Sequence, residues 1–137
     1  MRDPDLVAQS RLEDVAEPTA LLAAVLAAAD ALYIVDVQGR ICFLNPAAVH
    51  ILGYEDEQQL LGRPSHDTIH YLRRDGTPFP VAECSLLRPR LTGEIVHVDE
   101  DWFVRQDGTL VPVSYSSAPV ALPDGRGAVV SFRERSP

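Results

Sequence analysis

Two histidines four residues apart, His66 and His70, and a cysteine fourteen residues further on, Cys84, are the side chains here best suited to chemistry. On a helix, residues at i and i+4 project to one face. Two imidazoles beside a thiolate make a donor set for Zn²⁺ or another borderline metal, with Asp67 or Glu83 to complete it. The cluster has no paired C-x-x-C, and each member also has a plain structural use. His66 can cap or hydrogen-bond a loop, His70 can pack, and Cys84 can fill space as a small hydrophobe. A metal- or redox-responsive site at His66, His70 and Cys84 is therefore one reading among several.

The remaining reactive types suggest less. Cys42 lies in the apolar run Ile41–Leu44 and reads as core. His50 follows Asn45-Pro46 on a helix, and His97 sits on a strand whose alternation places it at the surface. The acidic run Asp99-Glu100-Asp101 reads as a solvated strand bulge or edge that discourages sheet-to-sheet pairing. It lacks the spacing of an EF-hand calcium loop. No G-x-S-x-G elbow, phosphate-binding glycine loop or H-E-x-x-H motif is present, so no enzymatic activity is expected.

Composition narrows the setting. The chain has 137 residues, enough for one domain with short flanks, and 46% of them are apolar, as in ordinary globular proteins. A net charge of −8 argues against nucleic acid or an anionic membrane as partner. The longest apolar run near the start, Leu21 to Ala29, is too short to span a bilayer and lacks the flanks of a signal peptide. A cytoplasmic location is expected. Two cysteines make no disulfide framework. Every cation other than histidine is arginine, and the arginines are scattered.

The strands and helices that carry these side chains are legible locally. Residues 1–30 read as a flanking tail, with Thr19 as N-cap of an alanine-rich helix through Ala29. Tyr33-Ile34-Val35 is a strand, Asp36 to Gly39 a turn, and Ile41 to Leu44 the returning strand. Asn45-Pro46 reads as N-cap and first helical residue, and Gly53 as a left-handed stop. Glu55 to Gly62 is expected to be a short helix. Ser65 to Leu72 should form one or two helical turns, and Val81 to Leu91 a helix limited by Pro89. The final third reads as strands: Glu94 to Val104, Thr109 to Val120 and Ala128 to Phe132. They are joined by the Asp107-Gly108 turn and by a turn over residues 123–127. The similarity of RRDGTPFP and RQDGTLVP reads as two uses of one turn chemistry.

The run D-x-x-G-x-I-x-x-x-N-x-A-x-x-x-x-x-G-Y, from Asp36 to Tyr54, resembles the entrance of a PAS domain. Phe103 to Val120 resembles the PAS hairpin with an R-K-D-G-type turn, and Gly127 to Arg135 resembles the last PAS strand. The resemblance covers about residues 31–135. It implies an α+β fold: a five-stranded antiparallel sheet with short helices on one face and the N-terminal helix outside the core. Residues 136–137 would begin a linker to a missing effector, as in a module taken from a longer, bacterial signalling protein.

The resemblance also implies a function, sensing, and a place for a small-molecule ligand between the sheet and the helices. Strand parity puts Val111, Val113, Tyr115 and Ser117 on one wall with Val130 and Phe132. Ile69, Leu72, Leu86 and Leu87 are expected opposite, and any of these residues can equally be core. The reactive-cysteine run of LOV photosensors has no counterpart here, which argues against flavin. The segment Val81 to Leu91 holds no histidine, which argues against the usual haem arrangement and leaves only an unusual one through His66 or His70. A metal remains open. The expected setting is a homodimer regulating an attached histidine kinase, phosphatase or cyclase. The alternatives are a ligand-free interaction module or a metal- or redox-responsive sensor.

Overall fold

The computed structural model describes residues 30–136. The helix expected over Thr19–Ala29 lies outside them. Strand β1 (Ala31–Val35) and strand β2 (Ile41–Leu44) form the first hairpin. Asp36 closes its turn, the carboxylate accepting from the amides of Gln38 and Arg40 at 2.9 and 3.0 Å, while Gly39 takes the left-handed conformation at φ 80°. Helix α1 (Pro46–Ile51) follows at once, because Asn45 accepts from the Ala48 amide and Pro46 occupies the first turn.

Asn45 does more than cap. Its Oδ1 also accepts from the Leu32 amide at 3.0 Å, its Nδ2 donates to the Asp30 carbonyl at 2.9 Å, and the residue is only 4% exposed. One side chain thus ties the start of β1 to the start of α1. Asn45→Ala strips two buried amides of their acceptor and is expected to lower stability by about 3 kcal/mol. Urea unfolding checks this. A loss under about 1 kcal/mol, the size of a cap alone, would contradict the coupling.

A 3-10 turn (Glu57–Gln59) replaces the expected helix over Glu55–Gly62, with a full capping box between Asp56 and Gln59. Helix α2 (Ser65–Ile69) has His70 as its C-cap. The helix expected over Val81–Leu91 is instead broken in two. A 3-10 turn covers Val81–Glu83, and helix α3 covers Arg88–Thr92. Pro89 explains the break, since it has no N–H for a continuous helix and fits only in a first turn. Between the two pieces Cys84 is extended, at φ −77° and ψ 112°, and Leu86 enters the core with no exposed surface. Ser117 holds it there by donating to the Leu86 carbonyl at 2.7 Å.

Strands β3 (Val96–Val104), β4 (Leu110–Leu122) and β5 (Gly125–Glu134) complete an antiparallel sheet of order β2-β1-β5-β4-β3. The β4–β5 connection is tighter than the expected turn over 123–127: Leu122 already pairs with Gly125, so Arg126 and Gly127 are strand residues. Both D-G turns use one geometry. Asp75 accepts from the amide and hydroxyl of Thr77 at 3.0 and 2.6 Å, and Asp107 does the same with Thr109 at 2.9 and 2.6 Å.

The main core lies between the sheet and the helical segments and contains Tyr33, Leu52, Leu60, Ile69, Leu86, Phe103 and Phe132. A smaller cluster of Leu32, Ile34, Cys42, Phe43 and Leu122 packs on alternate positions of β1 and so on the opposite face. No helix among the described residues is long and apolar enough to cross a membrane.

Candidate functional site

The side chains of His66, His70 and Cys84 converge. One donor atom from each lies within 4.8 Å of the others, and all three residues are buried. His66 and His70 come from the start and the C-cap of α2, and Cys84 comes from the extended residue after the Val81–Glu83 turn. His70 Nδ1 lies 3.3 Å from Cys84 Sγ.

Neither carboxylate expected to complete the cluster does so. Asp67 is exposed, and Glu83 pairs with Arg73 at 3.0 Å on the surface. The acid that arrives is Asp101, whose Oδ2 lies 2.9 Å from His70 Nε2. A β-bulge is responsible. Val98 pairs with Tyr115 and Asp101 with Val113, so three steps on β3 oppose two on β4. The extra residue reverses the alternation, turning Asp101 inward with Phe103. Asp99 and Glu100 stay solvated, as expected, with side chains 92% and 56% exposed.

The second partner missed in the sequence is a backbone group. Residues 71–79 fold back on themselves, with the Phe79 amide donating to the Tyr71 carbonyl at 2.9 Å and Leu72 bridging Pro78. This return lays Phe79 over the histidines, its ring centroid 4.6 Å from His70 and 5.8 Å from His66. His66 Nε2 donates to the Phe79 carbonyl at 2.7 Å, and His66 Nδ1 is buried without a partner. Phe103 and Tyr115 close the other side, with centroids 5.6 and 6.4 Å from His70.

Burial alone would push the His70 pKa down. Its hydrogen bonds to Asp101 and Cys84, with the charges of both, outweigh that and raise it to about 9. As an imidazolium it donates from Nε2 to Asp101 and from Nδ1 to the sulfur. Burial, then the charges of Asp101 and Cys84, pushes the Tyr115 phenol up.

The residues expected to wall a ligand pocket are buried in the packed core, Leu72 excepted. Val111, Val113, Tyr115, Val130 and Phe132 on the sheet pack in one cluster with Ile69, Leu86 and Leu87. Ser117 is buried beside them, whereas Leu72 is half-buried in the 71–79 return. Cys42 belongs to the opposite face and is not bonded to Cys84. His97 is at the surface, held by Ser116 and Asp99. A cleft of about 330 Å³ opens elsewhere, between Tyr54, Arg63, Asp67, Tyr71 and Arg105.

A five-stranded antiparallel sheet of this order, crossed on one face by short helices that carry the buried polar groups, defines the class of the molecule. The family model for the PAS fold matches residues 19–135, and the chain belongs to the PAS family. Among solved structures, the PAS domain of nitrogen regulation protein NR(II) from Vibrio parahaemolyticus is similar at 19% identity and a TM-score of 0.63, over 85% of this chain and all of that one. A domain of the sensory box sensor histidine kinase/response regulator from Geobacter sulfurreducens is 25% identical with a TM-score of 0.56, covering 82% of this chain and 90% of that one. A light-oxygen-voltage domain studied with a flavin analogue is 18% identical with a TM-score of 0.65, over 86% of each chain. No curated protein sequence matches.

Proposed function

We propose that this PAS domain is a sensory input module which regulates an attached effector of histidine kinase, phosphatase or cyclase type. The observation that carries the reading is the polar group buried where helices meet sheet. Ser65, His66, His70 and Ser117 lie at 0–4% exposure in a core that apolar side chains would otherwise fill. Ser65 and Ser117 are satisfied by Tyr33 and the Leu86 carbonyl, but His66 Nδ1 is buried without a partner, and a core kept only for packing has little use for such an atom. Likeness of fold to a domain of a sensor histidine kinase supports the same reading.

The mechanism is a population shift. A small molecule or ion held at this junction favours one arrangement of the 65–87 segment against β3–β5, and β5, which ends at Glu134, carries the change outward. The ligand must bind the two arrangements unequally for anything to move. The module acts as a homodimer and does no chemistry of its own. Cys84, His70 and Asp101 have the connectivity of a nucleophile, base and orienting acid, but a cysteine buried in the core, only 6% exposed, offers a substrate no approach.

Dense packing around Phe103, Tyr115 and Phe132, with centroids 5.0–5.8 Å apart, favours a second reading as a ligand-free dimerisation module. Native mass spectrometry of the chain, against its denatured mass, separates the two. A non-covalent adduct lost on denaturation supports the sensory reading, and Val113→Trp, which fills the sheet face, is expected to abolish an organic adduct. A bare dimer in every preparation would overturn it in favour of the interaction module.

A further inference from the structure

We propose that His66, His70 and Cys84 form a binding site for a borderline divalent cation of the Zn²⁺ type, held by Nδ1 of both histidines and the Cys84 thiolate, with the fourth position open. This names the ligand of the junction described above and rests on that reading only for its signalling consequence.

The hydrogen bonds decide which nitrogens are available. The Phe79 carbonyl can only accept, so His66 carries its proton on Nε2 and presents a lone pair at Nδ1. That nitrogen is buried, in a residue 4% exposed, and has no partner. Asp101 accepts from His70 Nε2 in the same way, directing His70 Nδ1 towards the sulfur 3.3 Å away. Both imidazoles are therefore anchored through Nε2 by an acceptor of the protein, one carboxylate and one carbonyl. This is the outer support that metal-bound histidines require, since it sets the tautomer and raises the basicity of the ligating nitrogen.

Distance and donor type agree. Ligands at about 2.0–2.3 Å from a tetrahedral ion lie about 3.3–3.7 Å apart. The His70 Nδ1–Cys84 Sγ pair is already at that spacing, and the three residues bring a donor atom each within 4.8 Å of one another. Two imidazoles and a thiolate suit Zn²⁺, Co²⁺ or Cu²⁺ and not Ca²⁺ or Mg²⁺, which take oxygen ligands. Binding releases the sulfur proton and any proton on His70 Nδ1, and both leave to solvent. A thiol disulfide switch is a poorer use of these residues, because Cys42 is on the opposite face of the sheet. With three protein ligands the ion keeps one position for a water or a small donor molecule, as open zinc sites do.

The test is a titration of the chelator-treated 137-residue chain with Co²⁺ and with Zn²⁺. One equivalent of Co²⁺ is expected to give tetrahedral ligand-field bands and a sulfur-to-metal charge-transfer band, displaced by Zn²⁺, and Zn²⁺ at a hundredfold excess over its Kd raises the midpoint of thermal unfolding. Cys84→Ser should lose the charge-transfer band, and His66→Gln should weaken binding at least tenfold. Asp101→Asn, which touches no ligand position, should weaken it about 10–100-fold while the bands keep their shape. Cys42→Ala should change nothing. Absence of a stoichiometric charge-transfer band in the unsubstituted chain overturns the site, a result independent of how any variant folds. A band that survives Cys84→Ser overturns it as well. Failure here with an organic adduct in the native spectrum leaves the sensory reading standing. A stoichiometric ion whose removal leaves the output of the effector-bearing protein unchanged sinks the sensory role and keeps the metal site.

Discussion

Gly127→Ala is expected to destabilise the domain by about 3 kcal/mol or more, enough to unfold a marginal fold of this size. Gly127 is buried in β5 with an ordinary backbone conformation, so its glycine is not a matter of φ. The reason is the neighbour. A Cβ at this position would run into the carbonyl oxygen of Val35 and stand 2.8 Å from Leu122 Cδ1. Val35 closes the β1–β5 ladder opposite Ala128, so the methyl can be housed only by parting β1 from the central strand β5. Gly108 supplies the comparison. At φ 86° with nothing within 4 Å of a built Cβ, it resists alanine through the left-handed backbone alone, at about 1 kcal/mol. Urea midpoints for the two variants test the ranking. Equal losses would mean that β1 and β5 do not approach as closely as described.

In the metal-free protein, raising the pH from about 6 to 9.5 is expected to remove much of a stabilisation of at most roughly 3 kcal/mol contributed by His70. Its pKa rises from 6.5 unfolded to about 9 folded. The folded state therefore holds the proton more tightly. The contribution is complete below the unfolded value, shrinks above it, and is gone once the pH has passed the folded value. Asp101→Asn removes the carboxylate that holds the imidazolium, so this variant should be less stable near neutrality and flatter with pH. Unfolding midpoints across the range, with chelator present because a metal ion competes for Nδ1, decide the matter. A variant with the same slope as the parent would refute the assignment of the proton to the His70–Asp101 pair. Tyr33 and Tyr115, whose phenols burial pushes up, set the upper limit of the useful range.

Much of this fold was legible residue by residue, because its signals act over a few positions. Asn45-Pro46 caps a helix through its own side chain, and Asp36, Asp75 and Asp107 fold their turns through bonds to amides two residues on. The alternation of Val111, Val113, Tyr115 and Ser117 fixes a buried face by the two-residue period of a strand. The histidine pair and Cys84 were visible as a donor set in the same way. What lay beyond local signals was the rest of the site. Periodicity carried through Val98 turns Glu100 inward and Asp101 outward. The acidic run marked a bulge or edge, but one extra residue in the β3–β4 register decides that Asp101 and not Glu100 turns inward, and that register is fixed by pairing across strands. Phe79 enters through its backbone, and a carbonyl has no sequence signature. Cys84 reaches the histidines because Pro89 forbids the helix that its neighbours favour, and because Ser117, 31 residues away, holds Leu86 in the core. Local signals were enough to show which side chains could bind and which elements would carry them. The partners that orient those side chains came only from long-range pairing, in which the chain as a whole decides which faces meet.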